Sequence, residues 1–182
     1  MQTEIIIAGF GGQGVLFGGQ LLTYAAMDEG KEVTWIPSYG PEMRGGTANC
    51  TVVISDEEIG SPMVSHPQAA IVMNLPSLDK YESLVKPGGL LVVNESMVDR
   101  EPTRKDIHVV KLKANEIAEN LGDRRMSNMV LLGALLANLP VLPQKAIETA
   151  LAGHLPERHK KLLPLNYQAL REGAKYKASQ VA

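Results

Sequence analysis

Short unbroken apolar runs alternate along the chain with longer stretches in which apolar residues return every three or four positions. Ile5-Ile6-Ile7-Ala8 is a β-branched run ending in glycines, which predicts a buried strand entering a tight turn. After Gly14, the residues Val15, Leu16, Leu21, Leu22, Ala25 and Ala26 fall near helical spacing until Glu29-Gly30-Lys31 supplies a stop. Val33 to Ile36 predicts a second strand, broken by Pro37, and Ala48 to Ile54 a third, with a Pro/Gly-rich loop between them. Ala69 to Met73 and Leu90 to Val93 are continuous apolar runs, as expected of strands covered on both faces. A short helix over Ser77 to Val85 and a turn at Lys86-Pro87-Gly88-Gly89 separate them. Ile107 to Leu112 predicts a further strand, followed by helices over about 114–121, 127–138, 143–152 and 163–178.

This order predicts an α/β fold, a three-layer αβα sandwich around a largely parallel or mixed sheet. Antiparallel pairing is expected where the second and third strands follow each other closely. Residues 1–182 read as one domain with a helical C-terminal portion from about 114.

Composition narrows the function. Lys+Arg 18 against Asp+Glu 20 gives a net charge of -2, without the broad positive field that attracts nucleic acid. The apolar run near Met1 is too short for a signal segment or a membrane span, so the expectation is a cytoplasmic protein with no membrane partner. The one cysteine, Cys50, cannot make an internal disulfide or hold a four-thiolate site alone. Cys50 sits in a predicted strand and reads as a small buried hydrophobe. His66, His108, His154 and His159 lack metal-ligand spacing, so no metal site is expected on this chain.

Gly9-Phe10-Gly11-Gly12-Gln13-Gly14 fits a Rossmann-like glycine loop after strand one, where backbone N–H groups can approach an anion. A dinucleotide site also needs an acid near the end of strand two, and that end reads Ile36-Pro37-Ser38. A phosphate-bearing ligand and a plain tight turn that packs the helix on the sheet both remain open.

Downstream, Ser38-Tyr39-Gly40-Pro41-Glu42-Met43-Arg44-Gly45-Gly46 places a phenol, an acid and a base among Gly/Pro breakers. With the glycine loop, this stretch resembles the gamma subunit, or equivalent fused domain, of 2-oxoacid:ferredoxin oxidoreductases. The likeness continues through Pro87-Gly88-Gly89 and Asn128 to Ala134, covering roughly residues 3 to 170.

The resemblance implies a complex that oxidatively decarboxylates a 2-oxoacid, 2-oxoglutarate being the expected one, to an acyl-coenzyme A with ferredoxin as electron acceptor. It implies thiamine-binding alpha and beta subunits, a ferredoxin-like delta subunit in some complexes, and ferredoxin reached through the complex. Thiamine diphosphate, Mg2+ and iron-sulfur clusters would sit on those chains, with coenzyme A as co-substrate and no cofactor held by this chain alone. No catalytic residue is expected here. The ligand- or active-site-facing candidates are Gly9, Gly11, Gly12, Gln13, Gly14, Ser38, Tyr39, Gly40, Pro41, Glu42, Arg44, Gly45, Gly46 and Asn128.

Gly11, Gly12, Gln13 and Gly14 are candidate backbone donors to phosphate, and Arg44 a bidentate partner for carboxylate or phosphate oriented by Glu42. Alternatively Glu42 and Arg44 pair with each other and shape an interface. Asn128 or Ser127 reads first as a helix N-cap, and by resemblance as an active-site or interface wall. Arg158-His159-Lys160-Lys161 reads as a solvated basic face, outside the expected site. Two other readings stay in view: a stand-alone dinucleotide-binding regulatory module, and a gamma subunit for pyruvate or branched-chain 2-oxoacids. Isolated from partners, such a chain is expected to pair with itself as a homodimer.

Overall fold

The computed structural model describes residues 1–40 and 46–179. Its elements run β1 (Gln2–Phe10), α1 (Val15–Asp28), β2 (Glu32–Tyr39), β3 (Thr47–Ser55), β4 (Ala69–Val72), α2 (Leu75–Tyr81), β5 (Leu90–Asn94), β6 (His108–Leu112), α3 (Ala114–Asn120), α4 (Ser127–Asn138), α5 (Gln144–His154) and α6 (Leu163–Gly173). Short 3-10 turns occupy Glu82–Leu84, Arg124–Met126 and Glu157–Leu162.

The strands form one mixed sheet in the order β2-β3-β1-β4-β5-β6. β3 runs antiparallel to β2 and β1, whereas β1, β4, β5 and β6 are mutually parallel. A loop as short as the one between β2 and β3 can close a hairpin but cannot carry a crossover, which fixes the antiparallel part.

Successive residues of β1 serve opposite faces. Ile5 and Ile7 join a core beneath α1, α4 and α5. Ile6 and Ala8 join a smaller one with Leu78 and Tyr81 of α2. Every residue of β4 and β5 is buried, as continuous apolar strands between two helical layers should be. α4 is buried from Ser127 to Leu136 on all sides, so it lies inside the molecule rather than on it. Among the described residues no helix is long and apolar enough to cross a membrane.

Among the boundaries that differ from expectation, three have a clear physical reason. Pro37 does not end β2, which continues to Tyr39 with Pro37 opposite Cys50. β2 is the sheet's edge, where a missing ladder N–H is tolerated. α2 starts at Leu75 because Asn74 caps it, accepting from the Ser77 N–H at 2.9 Å with Pro76 in the first turn. α6 stops at Gly173, well short of 178. The chain then turns toward β6, held by Asn138, whose Nδ2 donates to the Tyr176 carbonyl and whose Oδ1 accepts from the Ala178 N–H, each at 2.8 Å. The Ser179 N–H completes the crossing by donating to the Val109 carbonyl at 2.9 Å.

Candidate functional site

The site begins where β1 ends. Gly12 (φ 96°) and Gly14 (φ 77°) are both left-handed, which reverses the chain within four residues and aims the first turn of α1 outward from the C-terminal edge of the sheet. The loop is held from within and from three other elements. Gln13 folds back so that its Oε1 accepts from the Phe10 N–H at 2.6 Å and from Asn74 Nδ2 at 3.4 Å. Asn128, on α4, donates from Nδ2 to the Gly14 carbonyl at 3.2 Å. From the root of the hairpin, the Gly46 carbonyl accepts the Gly11 N–H at 2.9 Å.

These bonds change several expected roles. Gly11 and Gln13 cannot offer their amides to a phosphate as the loop stands, because Gly11 donates to Gly46 and the Gln13 N–H donates to the Phe10 carbonyl at 3.1 Å. Gly12 and the first turn of α1 are left to face an anion. Asn128 is not an N-cap: the cap position of α4 is Met126, and the Asn128 side chain instead buttresses the glycine loop. Its Oδ1 accepts from the Met129 N–H at 2.9 Å. Ser38 and Tyr39 belong to β2 rather than to the loop. Gly40 closes the hairpin by donating its N–H to the Thr47 carbonyl at 2.7 Å. Pro41, Glu42, Met43, Arg44 and Gly45 lie outside the described residues.

Two recesses flank the loop. One, of about 310 Å³, is walled by Phe10, Gly11, Gly12 and Gly14 with Phe17, Tyr39 and Ala48. It brings the two sequence motifs to one place, and Tyr39 stands 55% exposed at its rim. The other, of about 280 Å³, is lined by Gly12, Gln13, Met97, Asn115, Arg124, Arg125 and Ser127. It lies at the C-terminal ends of parallel strands, where α/β sheets place their ligands.

The second recess has a polar floor that the sequence did not reveal. Asn94, fully buried at the end of β5, donates from Nδ2 to Asn115 Oδ1 at 3.2 Å and to the Met73 carbonyl at 3.4 Å. Its Oδ1 accepts from the Ala114 N–H at 3.2 Å. Every polar atom of Asn94 therefore has a partner, so this network orients Asn115 and the start of α3. Arg125 adds a guanidinium held by Asp123, with Nη2 2.6 Å from Oδ2. That bond holds the Asp123 carboxyl below its ordinary range. Arg124 contributes a second guanidinium, 3.5 Å from Glu119. A cue existed in the sequence, since Arg124-Arg125 stands one residue before Ser127-Asn128, but no pattern links it to a glycine loop so distant along the chain.

Cys50 takes no part. Burial pushes its thiol up to about 11, and its Sγ donates to the Val15 carbonyl at 3.6 Å. Among the described residues no three His, Cys, Asp or Glu side chains converge as a metal site would require.

With this geometry in hand, the comparison with known families is decisive. A family model described as pyruvate ferredoxin/flavodoxin oxidoreductase matches residues 4–176, containing the glycine loop, the hairpin and α4. The chain belongs to the pyruvate ferredoxin/flavodoxin oxidoreductase family. The resemblance read from the two glycine-rich motifs is thereby shown, over slightly more of the chain than they suggested. Ketoisovalerate oxidoreductase subunit VorA of Methanothermobacter marburgensis is 36% identical across 95% of this chain, which spans only 36% of that longer protein. 2-Oxoglutarate synthase subunit KorC of the same organism is 37% identical, covering 94% of this chain and 96% of the relative. The solved keto/oxoacid ferredoxin oxidoreductase gamma subunit of Geobacter sulfurreducens superposes with a TM-score of 0.81 at 30% identity, covering 95% of this chain and 96% of that one. In this oxidoreductase family, then, the chain corresponds to a free-standing subunit in some relatives and to a third of a larger polypeptide in others.

Proposed function

We propose that the protein is the gamma subunit of a 2-oxoacid:ferredoxin oxidoreductase and forms the coenzyme A side of its active site, with 2-oxoglutarate as the substrate of the complex. The observation carrying this reading is the recess of Gly12, Asn115, Arg124, Arg125 and Ser127 beside the first turn of α1. Two guanidiniums, a helix N-terminus and neutral amide and hydroxyl groups suit the phosphates of a coenzyme A. When bound, coenzyme A would supply the thiol that accepts the acyl group. This chain's part is to hold and orient its anionic portion, Arg125 being set by Asp123 and Asn115 by Asn94.

Among the described residues no three His, Cys, Asp or Glu side chains converge. From the family membership we assign thiamine diphosphate, Mg2+ and the iron-sulfur clusters to alpha, beta and delta-type partner chains. The choice of 2-oxoglutarate rests on identity to separate short chains: the 2-oxoglutarate synthase relative is 37% identical, against 30% for the pyruvate synthase subunit PorC of Thermotoga maritima, and the ketoisovalerate relative of nearly equal identity is a longer polypeptide. A branched-chain 2-oxoacid is the alternative that the ketoisovalerate relative favours.

The test is anaerobic purification of the native complex, followed by coenzyme A-dependent ferredoxin reduction with 2-oxoglutarate, 2-oxoisovalerate and pyruvate. Preference for 2-oxoglutarate is expected, and preference for another acid corrects only the substrate. Arg125→Ala should raise the KM for coenzyme A about tenfold with little change in the KM for the oxoacid, a loss of about 1.4 kcal/mol. An unchanged coenzyme A KM would remove the recess from the site.

A further inference from the structure

A third recess, of about 400 Å³, lies between α1 and the C-terminal end of α5. Its floor is Leu21 and Leu151, which are buried, and its walls are the half-buried Phe17, Tyr24 and Leu155. Phe17, Leu21 and Tyr24 stand at i, i+4 and i+7, one stripe of α1. Phe17 also walls the cleft of Phe10, Gly11, Tyr39 and Ala48 beside the glycine loop, so the two recesses share one wall on α1.

The walls are set in advance. Tyr24 stacks on His154 with centroids 4.1 Å apart and planes 7° from parallel. The Tyr24 hydroxyl accepts from Gln20 Nε2 at 3.0 Å, and His154 Nε2 lies 3.2 Å from Asp28 Oδ2. Gln20 and His154 are thus engaged with neighbours on their own walls, and Phe17, Leu21, Leu151 and Leu155 supply the apolar part of the interior. The charge is at the mouth. Arg158 and His159 line it, exposed, and Lys161 follows on the same 3-10 turn. Among the described residues Lys160 pairs with Glu157, whereas Arg158 and Lys161 form no ion pair and Arg158 Nε donates to His159 Nε2 at 3.0 Å. The basic run stays exposed, as it reads from sequence, and two of its residues, Arg158 and His159, also line the mouth of this recess.

We propose that this groove docks an acidic segment of a partner subunit, which inserts adjacent apolar side chains between α1 and α5 while its carboxylates meet Arg158 and Lys161. Preset aromatic walls under a cationic rim give the buried centre and charged periphery of a protein-binding surface. The proposal rests on the subunit reading above. It adds which surface is covered and by what chemistry.

The test uses Leu155→Cys in the full chain. Cys50 is buried and its thiol lies near 11, so the new thiol is the reactive one. Maleimide labelling of Leu155→Cys should slow at least tenfold in the assembled complex relative to the free chain. A benzophenone attached there should cross-link to a partner segment carrying apolar residues flanked by Asp or Glu. The pair Arg158→Glu and Lys161→Glu should weaken assembly about tenfold at low ionic strength, and less at high salt. Equal labelling rates, cross-links solely to a second copy of this chain, or protection without any protein cross-link, as a small anion would give, each overturn the docking assignment. A complex that oxidises 2-oxoacids with the groove still open overturns it alone; failure of the chain to join any complex removes the subunit reading with it.

Discussion

Glycine is indispensable in two regions of this molecule, for opposite reasons. At the end of β1, Gly12 has nothing near the place a Cβ would occupy, and its constraint is its own left-handed backbone. At the seam between α4 and α6, Gly133 and Gly173 have ordinary helical backbones, but a Cβ on either would lie inside contact distance of the opposing helix, on the Leu170 and Val130 carbonyls respectively. The loop glycine shapes an exposed surface between two recesses; the seam glycines let two helices touch. One is a local requirement and the other a tertiary one, so their losses should register in different measurements.

The largest effect is expected at the seam. Gly173→Ala forces α6 off α4 and should cost about 3 kcal/mol of stability, seen as a lower denaturant midpoint with an unchanged slope. If it proved neutral, the close approach would not be a constraint. Gly12→Ala meets no neighbour, so its cost should be confined to backbone strain, about 1–2 kcal/mol. Activity should fall further than stability explains, through the KM for coenzyme A, and a parallel fall in both would make this loop merely structural.

Acid sharpens the comparison because neither glycine titrates. Glu82 is buried beside the loop that precedes β6, accepting from the Arg104 N–H at 3.0 Å, the Thr103 hydroxyl at 3.1 Å and Arg100 Nη1 at 2.9 Å, and from the Thr103 N–H. Burial works to raise its carboxyl, and these bonds outweigh it, holding the group below its ordinary 4.5. A depressed carboxyl contributes stability above its unfolded value, and that contribution is lost as pH falls through the lower folded value. Stability should therefore decline from about pH 4.5 downward, by an amount that Glu82→Gln largely removes, as followed by urea unfolding against pH. A wild-type acid profile retained in the variant would assign the loss to other carboxylates. The smallest effect is expected from Asn128→Ala, which removes one bond to the Gly14 carbonyl and should cost about 1 kcal/mol. Because the loop is also held by Gln13 and Gly46, coenzyme A affinity should drop only a few-fold.

The sequence by itself determined the alternation of strands and helices, the buried character of β4 and β5, and the place of the glycine loop. All of these are written in periods of two and 3.6 residues and in glycines at a strand end. It also carried the family, because the glycine loop and the hairpin stretch are contiguous motifs. Tertiary structure alone decided that Pro37 could stay in a strand, since only the sheet order makes β2 an edge. Likewise it turned Asn128 from a cap into a support for a loop 114 residues away. It joined Arg124 and Arg125 to Gly12, set Asn94 beneath Asn115, and brought Arg158 and His159 to the mouth of a recess against α1. Each of these depends on contacts between elements far apart in the chain, and a pattern read along the backbone holds local periodicity but not the packing that selects its neighbours.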